Sequence, residues 1–118
     1  MTGSDGQALA ASVFAPQMEA IADVLIAPAT AVRRTYYEPF AAYLAERGMR
    51  ALTLDYRGIG DSRPRRLRGF AADLEAWARD LDVAAAWLAE SRRPLLYVGH
   101  SFGGQALGLL EHRRRVAA

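Results

Sequence analysis

The run Val98-Gly99-His100-Ser101-Phe102-Gly103-Gly104 gathers the residues of this chain whose types and spacing could do chemistry. It contains G-x-S-x-G, preceded by the short apolar stretch Leu95-Leu96-Tyr97-Val98 and followed by a helical pattern. Those flanks suit a nucleophile elbow, a sharp strand-to-helix turn that lifts a serine oxygen clear of a sheet. A serine hydroxyl is a weak nucleophile unless an adjacent base takes its proton. Small residues on both sides of it let the backbone adopt the strained dihedrals of the turn. Ser101 is therefore the candidate catalytic nucleophile, with Gly99, His100 and Gly103 as the rest of the elbow. A helix start beside it offers free N–H groups and the positive end of a dipole. The Phe102 N–H would then be one donor to a developing oxyanion.

Neither histidine is placed to serve that serine. On a continuous helix rising about 1.5 Å per residue, His112 lies roughly 16 Å from Ser101, beyond hydrogen-bond reach. It reads as a solvated residue near a helix end. His100 adjoins Ser101, and neighbouring side chains at a strand end point to opposite faces, so His100 is expected to pack behind the elbow. Asp55 reads as structural, bonded with Arg57 and Ser62 inside its own loop.

The elements that must position the elbow alternate strand and helix. Gln7 to Phe14 reads as a first strand after the Asp5-Gly6 turn. Ala22 to Ala27, centred on Val24-Leu25-Ile26, reads as a buried strand ended by Pro28. Glu38 and Pro39 suit a helix start, Phe40, Tyr43 and Leu44 give it a face, and Gly48 stops it. Met49 to Leu54 is the next strand, followed by a loop rich in Gly, Pro and Arg from Tyr56 to Gly69. Phe70, Leu74, Trp77, Leu81, Ala85 and Leu88 recur three and four residues apart, the stripe of an amphipathic helix ending near Arg92. Trp77 belongs to that stripe and covers the sheet, whereas Trp87 falls off it and marks a second contact. Leu95 to Val98 is the last strand, and the chain is helical from Phe102. This order predicts an α/β fold, a mostly parallel sheet with helices on both faces. Ligands of such sheets sit at the carboxyl ends of the strands, where Ala27 to Thr30, Asp55 to Ser62 and Gly99 to Gly103 converge.

Composition narrows the classes. The 118 residues are 52% hydrophobic and 24% charged, which is globular and long enough for a modest core. No cysteine is present, so a disulfide framework and a thiolate metal site are both excluded. No metal or cofactor is expected. No apolar run approaches the roughly 18 residues of a membrane span, and Met1 to Gly6 lacks the pattern of a secretory signal, so a cytoplasmic location is the expectation. All 15 basic residues are arginine, yet the net charge is only +2. The arginine clusters at Arg63 to Arg68 and Arg113 to Arg115 fall in a loop and at the chain end without interleaved aromatics, so nucleic acid is not an expected partner.

Beyond the elbow, Asp55-Tyr56-Arg57-Gly58-Ile59-Gly60-Asp61-Ser62 resembles the D-x-R-G-x-G-x-S loop of the α/β-hydrolase superfamily. Tyr37-Glu38-Pro39-Phe40-Ala41 and Leu44-Ala45-Glu46-Arg47-Gly48 resemble that fold's first helix. Pro28-Ala29-Thr30 sits where the family keeps its second oxyanion donor, which leaves Ala29 and Thr30 as alternatives. Many relatives have His-Gly where this chain has Ala27-Pro28. From about Gln7 to Leu110 the pattern is most similar to the serine-aminopeptidase-like and monoglyceride-lipase-like hydrolases.

The resemblance implies a serine hydrolase acting on an ester, thioester or amide through an acyl-Ser101 intermediate. It covers only the N-terminal half of the fold, so residues 1–118 are expected to be the N-terminal portion of one hydrolase domain. In the family the triad acid and histidine follow the serine, and they have no counterpart here. A truncated reading frame that is not competent alone is the expectation, with a small acyl compound as substrate once completed. The alternative is a non-enzymatic half-fold module associating with a partner chain. The strand ending at Val98 would then present an apolar open edge and favour self-association.

Overall fold

The computed structural model describes residues 6, 8–29, 32–57, 74–110 and 113–118. Four strands, β1 (Ala11–Phe14), β2 (Ala22–Ala27), β3 (Met49–Leu54) and β4 (Leu95–Gly99), form one sheet in the order β1-β3-β2-β4. β2 is parallel to both β3 and β4, and β1 runs antiparallel along the outer edge of β3. Helix α1 (Glu38–Glu46) connects β2 to β3, α2 (Leu74–Ala89) connects β3 to β4, and α3 (Phe102–Ala106) follows β4. The mostly parallel α/β sheet expected from the sequence is the observed one.

Alternation along β2 explains the two cores. Val24 and Ile26 face one side with Tyr37, Ala41, Leu44 and Ala51, beneath α1. Leu25 and Ala27 face the other with Leu52, Leu54, Leu81, Leu88 and Phe102, beneath α2 and α3. Successive residues of a strand point to opposite faces, so the run Val24 to Ala27, covered on both sides, is apolar, while the buried Asp23 of the same strand is bonded to Arg50, Ser91 and Arg93. Each of the large aliphatic side chains sealed here contributes about 1.5–3 kcal/mol relative to exposure. The stripe of α2 is correctly phased, since Leu81, Ala85 and Leu88 are fully buried. Trp87 stays 40% exposed, with the Arg50 guanidinium 4.8 Å from its ring centroid.

Three expectations change. The regular first strand covers Ala11–Phe14, where Ser12 and Val13 oppose Thr53 and Leu52, and the Asp55 N–H also donates to Ala10 O just before it. The helix after the elbow lasts five residues and tightens into a 3-10 turn at Leu107–Leu109. Gly103, Gly104 and Gly108 each weaken a helix, which accounts for the short run. The separation of His112 from Ser101 on a continuous helix therefore does not apply, and His112 lies outside the described residues. The edge of β4 is not bare either. Val116 bridges Leu95 in parallel, the Ala117 N–H donates to the Leu95 carbonyl, and the Tyr97 N–H donates to the Ala118 carbonyl.

The topology locates a crevice. From β2 the chain leaves toward β3, whereas after β4 it passes to the opposite side, so the connections from these adjacent strands part at their carboxyl ends. A parallel sheet binds ligands at such a switch point.

Candidate active site

Ser101 stands at this switch point, exposed, immediately after β4 and before α3. Its backbone holds φ 56° and ψ −112°, a conformation that L side chains rarely adopt. Strain of this kind costs on the order of 1–3 kcal/mol and persists only when the surroundings over-determine it. Here the two flanking glycines show what determines it. A Cβ on Gly99 would lie 2.4 Å from both the nitrogen and the Cα of Gly104. A Cβ on Gly103 would lie 2.0 Å from the Ala27 carbonyl oxygen. The turn thus folds the start of α3 back onto the end of β4 and presses it against the end of β2. Gly104, by contrast, would place a Cβ no nearer than 3.7 Å to any atom, an ordinary contact.

Hydrogen bonds complete the turn. The His100 N–H donates to Ala27 O, continuing the β2–β4 ladder, and the Gly103 N–H donates back to His100 O. The Ser101 carbonyl accepts from Gly104 and Gln105. Among the described residues no acceptor meets the Phe102 N–H. The Phe102 ring is buried edge-on against Tyr56 and Trp77, with centroids 5.7 and 6.0 Å away, so the residue after the serine is anchored in the core.

Three tyrosines tie the surrounding loops, a role that spacing and composition did not point to. The Tyr56 hydroxyl donates to Pro28 O at 2.7 Å. The Tyr97 hydroxyl donates to Gly103 O. The Tyr37 hydroxyl receives the Ala29 N–H at 2.8 Å and stands 2.8 Å from His100 Nδ1. Burial pushes all three phenols above their ordinary range, so each remains a hydroxyl. A tyrosine near each loop was visible in the sequence; which carbonyl or amide it would reach was not.

The Asp55 loop is held differently from the sequence expectation. Asp55 is buried and accepts from both the backbone N–H and the guanidinium of Arg34, which itself bonds Ser12. Arg57 is buried against Asp80 of α2, with Nη2 2.6 Å from Oδ1, and the Asp80 carboxylate also accepts the Arg57 N–H. The Trp77 indole donates to Arg57 O. Asp55 and Arg57 thus find partners in other elements, Arg34 on one side and Asp80 of α2 on the other. Ser62, and Thr30 as the other oxyanion candidate, lie outside the described residues. His100 stacks on Tyr36 and meets Tyr37 edge-on, on the α1 side of the turn.

Comparison with known proteins places the chain in a family. A family model described as serine aminopeptidase, S33, matches residues 18–117. An uncharacterized abhydrolase domain-containing protein of Dictyostelium discoideum is 32% identical over 101 residues, which is 86% of this chain and 10% of that protein. Among solved structures, a soluble variant of monoglyceride lipase from Saccharomyces cerevisiae, in complex with a substrate analog, superposes with a TM-score of 0.79 at 21% identity. The match covers 93% of this chain and 39% of the lipase. The α/β hydrolase GrgF from Penicillium sp. sh18 gives 0.77 at 28% identity, covering 99% of this chain and 42% of that one. The chain therefore spans about two fifths of these two structures, and a tenth of the Dictyostelium relative.

Proposed function

Since the chain belongs to the serine aminopeptidase family of α/β hydrolases, we propose that it supplies the nucleophile side of a serine hydrolase. Ser101 Oγ attacks the carbonyl carbon of an ester, thioester or amide while its proton passes to a base. The carbonyl oxygen takes up negative charge, and the Phe102 N–H is one donor to it. A second amide comes from Ala29 or Thr30. Because the Ala29 N–H is bonded to Tyr37, the proposal favours Thr30. Collapse of the tetrahedral species breaks the bond to the leaving group, which takes the proton from the base. Water then cleaves acyl-Ser101.

The observation that supports this reading most strongly is the left-handed Ser101 between two glycines that tolerate no Cβ. Among the described residues no histidine reaches the serine from the open side of the turn, since His100 is engaged by Tyr37. The base and its acid partner are therefore proposed to come from the part of the hydrolase fold that the match does not cover. Without them, positioning and the oxyanion donors alone leave about 10³–10⁴-fold catalysis over water. A non-enzymatic module pairing with another chain along β4 has weaker support, because Val116 to Ala118 already bond that edge.

The test is reaction with an alkyl fluorophosphonate, followed by intact mass, beside hydrolysis of p-nitrophenyl acetate. A single slow adduct is expected, absent in Ser101→Ala, with acetate release close to that of the variant. Undiminished labelling of Ser101→Ala would remove the nucleophile assignment. Robust Ser101-dependent turnover by these 118 residues would remove the requirement for an external base.

A further inference from the structure

We propose that Tyr37 is a positioning residue of this site, its hydroxyl latching the backbone at Ala29 to the imidazole of His100. The inference rests on the serine-nucleophile reading, because it assigns the residue that holds the two sides of that site in register.

Tyr37 ends the 3-10 turn Arg34–Tyr37, and its side chain is buried in the core beneath α1. The hydroxyl oxygen sits 2.8 Å from the Ala29 nitrogen and 2.8 Å from His100 Nδ1. A backbone N–H can only donate, so the oxygen accepts from Ala29. The hydroxyl has one hydrogen, and Nδ1 is the partner left to receive it. That assignment satisfies all three groups at once and makes His100 the tautomer with its hydrogen on Nε2. An Nδ1–H tautomer would leave the phenolic hydrogen without this acceptor, an unfavourable outcome for a buried group.

The imidazole, though exposed, also meets rings on two sides. Tyr37 meets it edge-on at 5.8 Å between centroids, and Tyr36 stacks nearly parallel at 6.4 Å. Ala29 lies at the end of β2 and His100 immediately precedes Ser101, so the latch spans the same crevice as the reaction. The β2–β4 ladder already aligns Ala27 with Gly99. Beyond that point the connections part, and Tyr37 extends the alignment by two residues on the β2 side. It also engages the Ala29 amide, which is thereby withheld from the substrate oxygen.

The experiment reads the latch without turnover, on the full chain labelled with ¹⁵N and ¹³C. In the unmodified protein, His100 ring shifts are expected to show the Nε2–H tautomer, with Ala29 protected from hydrogen exchange. Tyr37→Phe keeps the ring and removes the hydroxyl. It should turn His100 into a tautomer mixture and speed Ala29 exchange by about tenfold. A residue that only filled the core would leave both readouts unmoved in this variant, and that result overturns the latch. Should Tyr37→Phe not fold, His100→Ala addresses the same bridge. Faster Ala29 exchange is expected there too, and unchanged exchange refutes it. A chain inert to the phosphonate would defeat the nucleophile reading alone, whereas unmoved shifts would defeat the latch alone.

Discussion

At Ser101 the backbone is strained and the side chain is exposed, so what holds the residue must lie in its neighbours. Gly103 is the most constrained of them, because its missing Cβ is the space taken by the carbonyl of Ala27. Gly103→Ala is expected to cost about 3 kcal/mol, since the obstacle is backbone that cannot rotate aside. Gly104→Ala, one residue along, meets only ordinary contacts and should stabilise the chain by up to about 1 kcal/mol through helix propensity. Urea unfolding of the two variants checks the contrast. Equal midpoints would mean that the elbow is not packed against β2 as described. The spacing G-x-S-x-G was legible in the sequence, and so was the tight turn. That spacing also singled out Gly103 over Gly104, but the obstacle to a Cβ there was not legible, because the clash comes from a strand far away in the chain.

At the scale of elements, the loop after β3 is joined to α2 by the buried pair Arg57–Asp80. Removing one partner of such a pair strands a desolvated charge, so Asp80→Ala should destabilise by about 3–5 kcal/mol. Replacing both with apolar residues, as in Arg57→Met with Asp80→Leu, should recover most of that loss. A double-mutant cycle by thermal unfolding measures it. Additive single-site losses with no recovery would show the pair to be uncoupled. The apolar stripe of α2 was readable from spacing alone. Asp80 sits three residues after Trp77, on the side of that stripe, and this was the only sequence signal that it faces inward.

Across the whole molecule, the buried Tyr37 and Tyr56 and the half-buried Tyr97 make stability depend on alkaline pH. Burial raises each phenol above its unfolded value of about 10. A group whose folded pKa is raised contributes stability that is fully present below the unfolded value and is lost as pH rises past it. Unfolding free energy should therefore hold steady to about pH 9 and fall between about pH 10 and 11. Urea titrations at fixed pH values test this, and Tyr56→Phe should flatten the fall. An unfolding free energy that rises over that interval would contradict the buried-phenol account. No helix among the described residues is long and apolar enough to cross a membrane.

The sequence by itself determined the elements and their facing. The continuous apolar run Val24 to Ala27 in β2, the three-and-four spacing in α2 and the glycines around Ser101 are local patterns, and local sterics and burial translate them directly into strand, helix and turn. Tertiary structure decided what those elements hold in place. The partners of Arg34, Arg57, Tyr37 and Tyr56 lie in other elements, as with Tyr37 and His100, 63 residues apart. Such pairs depend on strand order and on the direction of each crossover, and single-residue spacing contains neither. A polar side chain advertises only that it needs a partner, while the fold chooses which one it meets.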